Sequence, residues 1–145
     1  MIKKNTMQAK NCLNSPTDYG VSFSRGVRVD LPGHSILYIS GTASVDEKGK
    51  TFKPYDFKAQ AERTFFNISK LLETEEATWK DIVFTRIYLK NMDFYSKFNR
   101  FRNNFYKKNK IKQFPASVCV EARLCRDDLL IEIEAQAILE KKANG

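Results

Sequence analysis

The 145-residue chain has three cysteines, Cys12, Cys119 and Cys125, and a single histidine, His34. An odd, irregularly spaced cysteine count excludes a disulfide framework. One histidine without a C-x-x-C pair leaves nothing from which a zinc site is built, so no metal is expected. Met1 to Lys10 contains no apolar run and gives no sign of a signal peptide. No window approaches the roughly 20 apolar residues that a bilayer-spanning helix needs. A reducing cytoplasm is the expected location, with no membrane partner and no organic cofactor. Repeats, low-complexity tracts and interior Pro/Gly/Ser linkers are also missing. One domain over residues 15–140 is therefore expected, with 1–14 and 141–145 as flexible ends.

What is present reads as ordinary globular protein: 42% of residues are hydrophobic and 29% charged. A chain of this size buries roughly 70% of its unfolded surface and needs no staple. The net charge is +8, and Arg100, Arg102, Lys107, Lys108, Lys110 and Lys112 follow one another with no acid between 100 and 112. Such a run reads first as a solvated helix face. It is also the sole local support for an RNA partner, whose binding would fall steeply with salt. No aromatic RNP-type motif accompanies it, so nucleic acid ranks last among the partners.

Phe23, Arg25, Val27 and Val29 alternate as in a strand, and Ile36-Leu37-Tyr38-Ile39 reads as a buried one. Asp56 is a natural N-cap for a helix whose apolar stripe is Phe57, Ala61, Thr64, Phe65, Ile68, Leu71 and Leu72. Thr78-x-x-Asp81 has the form of a capping box. Residues 82–89 are apolar on both faces except at Arg86, which predicts a central strand. Phe94, Phe98, Phe101 and Phe105 recur at helical spacing, and this stripe supplies the burial a second helix needs.

Two strands close the chain and read as a hairpin around Cys125-Arg126-Asp127-Asp128. The face Leu129, Ile131, Ile133, Ala135, Ala137 belongs on the helices; the other presents Glu132 and Glu134, and with them Ser117, Cys119 and Arg123. The predicted order is β-β-α-β-α-β-β, an α+β domain with both helices on one face of a mixed sheet. The second sheet face is too apolar for plain surface, which predicts closed-symmetry association with further copies.

Glu132 stands between Ile131 and Ile133, where partial burial would raise its pKa and suit it to general acid–base work; the alternative is a structural ion pair. Cys125 sits at a turn beside Arg126, a cation able to activate a thiol, with no histidine near it in sequence to act as base. Cys119 reads as a small buried hydrophobe and His34 as a surface residue. Arg25 and Arg123 are the planar donors available to a ligand carboxylate.

Ser40-Gly41-Thr42-Ala43-Ser44, Asp81-Ile82-Val83 with Tyr88-Leu89, Asn99, and Pro115-Ala116 leading to Ile131-Glu132-Ile133-Glu134-Ala135 together resemble the RidA/YjgF family over roughly residues 15–140. The resemblance implies a chorismate-mutase-like fold, a homotrimer and a ligand cleft between each pair of subunits. It also implies hydrolysis of reactive enamines or imines to 2-oxo acids and ammonia. In the deaminating members an arginine two positions after the motif's proline grips the substrate carboxylate; the matching position here is Ser117. Losing a charged partner typically costs on the order of 1.5–3 kcal/mol. Phe23 stands where those members carry a tyrosine. Gly41, its neighbour Thr42, Asn99, Cys119 and Glu132 are retained. The stretch Cys125 to Glu132 is similar to the arginine-lacking branch and to the C-terminal half of the chorismatases, which carry a cysteine and a glutamate at this spacing.

The expected function is therefore a trimeric binder of a small carboxylated metabolite, hydrolase-like or lyase-like. Glu132 and Cys125 are its candidate catalytic groups. Phe23, Arg25, Gly41, Thr42, Asn99, Ser117, Cys119 and Arg123 are its candidate ligand contacts. The alternatives are an imine deaminase with a substitute arginine, a non-catalytic metabolite sensor, and an RNA-cleaving protein.

Overall fold

The computed structural model describes residues 2–142. The first helix, α1 (Phe57–Glu73), starts where Asp56 accepts a hydrogen bond from the Ala59 amide, and it buries the whole expected stripe. A short 3₁₀ turn over Trp79–Asp81 opens on the Thr78–Asp81 capping box. The second helix, α2 (Tyr95–Lys108), buries Phe98 completely. Phe65 of α1 stacks on Trp79 at 4.7 Å and meets Phe101 and Phe105 edge-on at 4.9 and 4.8 Å. These offset and T-shaped contacts suit the ring quadrupoles and join the two helices into one layer.

The strands are β1 (Lys3–Met7), β2 (Gly26–Leu31), β3 (His34–Ala43), β4 (Ile82–Leu89), β5 (Ala116–Glu121) and β6 (Ile131–Glu140). They form one sheet in the order β1-β2-β3-β6-β4-β5, antiparallel throughout except for the parallel pair β4–β5. Leu37, Ile39, Ile87, Leu89, Ile133, Ala135 and Ala137 face the helices and are buried. Tyr38, Val118, Val120 and Ile138 stand exposed on the opposite face. The α+β class, the mixed sheet and the helices on one side match the expectation.

Three details differ. Lys3–Met7 lies within the end expected to be flexible, yet it pairs with β2, and Met7 is buried. Strand β2 starts at Gly26, so Phe23 and Arg25 precede it. The last two strands are not a hairpin: β4 lies between β5 and β6. That insertion separates residues which the hairpin reading gathered. In the parallel ladder Ser117 pairs with Thr85 and Cys119 with Ile87, so both point toward the helices. Glu132 and Glu134 point to the other face. Of the outer ends, residues 1 and 143–145 lie outside the described residues.

Candidate functional site

Between Ile39 and Thr42 the β3–β6 register slips by one residue: Ile39 pairs with Ala135 and Thr42 with Ile133. This bulge is where the Ser-Gly-Thr segment falls. The Ser40 amide donates to the Arg25 carbonyl and its hydroxyl to the Ser24 carbonyl, which draws the segment bearing exposed Phe23 alongside. Thr42 is buried and donates its hydroxyl to the Ser40 carbonyl, closing the bulge from within.

Gly41 then faces Glu132 at close range. A Cβ at position 41 would lie 2.7 Å from Glu132 Oε2 and 3.0 Å from its Cδ. Only glycine leaves that carboxylate its place. Among the described residues, no donor hydrogen-bonds to Glu132 and no cation pairs with it. Burial pushes its carboxyl above the usual value, and the negative charge of Glu134 adds to the rise. Glu134, two residues on, has a different fate. Burial alone would raise it, but hydrogen bonds from Tyr88 and from Arg86 at 2.7 Å outweigh that and hold it below its usual value. The titrations of two carboxylates on one strand face are thus driven apart, one upward by burial and the other downward by its partners.

A second cluster forms on the helix side of the sheet. Arg102 of α2 donates to Asn99 Oδ1 at 2.6 Å and to Ser117 Oγ at 3.2 Å. Cys119 lies on the same side, its thiol pushed up by burial and partly offset by the Arg102 charge. Arg102 was legible only as one of six cations in the basic run; its (i, i+3) relation to Asn99, which puts the two on one helix face, was the available signal.

The remaining candidates are placed elsewhere. The Arg25 guanidinium is buried and bonded to the Asn14 carbonyl and side chain, both at 2.9 Å, so it is spent inside the fold. Arg123 and Cys125 stand exposed in the loop between β5 and β6, and neither is bonded to Glu132. Their neighbour Arg126 is held by the Gly49 carbonyl and Thr51. Among the described residues, no hydrogen bond or ion pair within the chain therefore ties Arg123, Cys125 and Glu132 into the site expected from the sequence. Among the described residues, no group of three or more His, Cys, Asp or Glu is arranged to hold a metal, and no helix is long and apolar enough to cross a membrane.

A chorismate-mutase-like sheet whose bulge sets a glycine against an unpaired glutamate defines a class of protein. The profile described as endoribonuclease L-PSP matches residues 18–139, and the chain belongs to this family, the RidA/YjgF group. A RutC family protein of Pyrococcus abyssi is 29% identical over 118 residues, covering 81% of this chain and 87% of its own. The Escherichia coli YjgF gene product is 29% identical, with a TM-score of 0.75 over 92% of this chain and 98% of its own. The Rid family protein YyfA of Yersinia pestis is 26% identical, with a TM-score of 0.77 over 93% and 98%.

Proposed function

We propose that this protein binds a small carboxylated metabolite in a cleft between the subunits of a homotrimer, and that Glu132 orients water or carries a proton in its hydrolysis. The observation carrying this reading is the Glu132 carboxylate, seated against Gly41 without a partner and with its pKa raised. A group so placed can hold a proton nearer neutrality than an exposed glutamate.

The need for a second subunit is supported by topology. Ser117 is in register with Thr85, and Thr85 with Ala135, three residues from Glu132. Strand rise and strand spacing put the Ser117 and Glu132 backbones about 14 Å apart, with their side chains on opposite faces. A metabolite of a few carbons does not span that distance around a sheet. Bringing the two clusters together requires another copy, and the exposed Tyr38, Val118, Val120 and Ile138 supply an apolar face for it.

The test is release of ammonia and 2-oxo acid from imines generated in situ, beginning with 2-aminoacrylate. General acid–base groups contribute about 10²–10⁴-fold. Wild-type protein should accelerate hydrolysis of at least one such substrate, and Glu132→Gln should lose at least about a hundredfold of that rate. A Glu132→Gln protein as fast as wild type would remove Glu132 from the mechanism.

A further inference from the structure

The geometry points to Arg102 as the anchor for the ligand's carboxylate, a guanidinium delivered from helix α2 to the place where Ser117 leaves none on strand β5. This inference rests on the metabolite-binding function proposed above and specifies how the charge of the metabolite is met.

Three observations converge on it. Arg102 is half-buried and reaches across from the helix layer to the sheet edge, where it donates to Ser117 Oγ at 3.2 Å. A second donation, to Asn99 Oδ1 at 2.6 Å, and the Phe98 ring, 4.9 Å beneath its central carbon, fix the plane of the guanidinium. Phe98 is itself fully buried, so the support is rigid. Both bonded partners are neutral. Arg28, Arg63 and Arg86 each have at least one carboxylate within ion-pair distance; among the described residues Arg102, like Arg25, Arg100, Arg123 and Arg126, has none. A guanidinium carries five N–H donors in a planar fork, and the two contacts leave donors free for a carboxylate.

The strand alone could not provide this. Ser117 offers a hydroxyl without charge. With Arg102 beside it, hydroxyl and guanidinium form one unit with a charge, a planar fork and a rotatable donor. Position 117 then needs no long side chain, because the charge arrives from the neighbouring layer.

Calorimetric titration of the intact protein with 2-oxobutanoate and with its neutral methyl ester tests this. Wild-type protein should bind the acid more tightly than the ester. Arg102→Gln should weaken the acid by about tenfold to a hundredfold, the usual worth of a charge-assisted contact, and leave the ester unchanged. The double variant Arg102→Gln with Ser117→Arg should recover the preference for the acid, which a merely structural tie between α2 and β5 would not do. Wild-type protein that ignores the acid, or an Arg102→Gln protein with unchanged affinity for it, overturns the assignment. Turnover measured in parallel separates this from the role of Glu132. Lost affinity in Arg102→Gln with full turnover in Glu132→Gln keeps the anchor and removes the acid; the opposite pair of results does the reverse.

Discussion

Glu132 and Glu134 stand two residues apart on one face of β6, yet one is unpaired and the other is held by Tyr88 and Arg86. The unpaired one has a cost in stability. A carboxyl whose folded pKa lies above its unfolded value binds more protons folded than unfolded, so stability falls as pH rises through that window. The Glu132 penalty is fully present above the raised folded value and absent below the unfolded one. Glu132→Gln should therefore raise the melting temperature at pH 7–8, and the gain should vanish below about pH 4. Thermal unfolding of both proteins across that range checks the sign. A glutamine variant less stable at pH 8 would mean that Glu132 has a favourable partner. With Glu132 in the role proposed above, such a gain would be the familiar trade between stability and activity.

At the scale of elements, the bulge in β3 governs the site. It turns Gly41 toward Glu132, and Gly41→Ala places a methyl where the carboxylate lies. That variant should fold, because the carboxylate can rotate away, but it should lose activity about as severely as Glu132→Gln; a crystal structure would show the Glu132 rotamer displaced. Retained activity with an unmoved carboxylate would mean the 2.7 Å approach relaxes through the backbone instead.

The sequence was most legible where contacts are local. Asp56, the α1 stripe, the capping box at Thr78 and the α2 aromatics all depend on residues three or four apart. It was least legible where pairing is long-range. Residues 116–121 and 131–140 look like a hairpin because they are neighbours in the chain, and nothing local announces that β4 lies between them. Strand β1 was hidden by its lysines, which are the ordinary dress of an edge strand. Glu132 and Gly41 could be named from their segment, whereas Arg102 could not, since a charge run does not say which member turns inward.

For the whole molecule, the two clusters on opposite faces make a prediction about mixtures. If each site takes Glu132 from one subunit and Arg102 from the next, the two variants, one slow in turnover and one weak in binding, can complement each other at low substrate concentration. Glu132→Gln and Arg102→Gln proteins, unfolded together and refolded in equal amounts, should regain about a quarter of the wild-type activity, because each site draws its two halves independently in a cyclic assembly. A site wholly within one chain gives no recovery. Native mass spectrometry of the mixture, with one variant isotopically labelled, confirms that the subunits have exchanged.

For the ligand binding proposed above, the exposed lysines that follow Arg102 would act on the time of arrival rather than on binding strength. Lys107, Lys108, Lys110 and Lys112 remain in solvent on and just beyond α2, the helix that carries Arg102. Their summed potential reaches about one Debye length into the surrounding water. An anion diffusing past is drawn toward that helix before it touches anything. If Arg102 is the anchor proposed above, the run would divide its labour: one cation would hold the anion, and the rest would shorten its search. Salt would slow the ligand's arrival far more than it would hasten its departure.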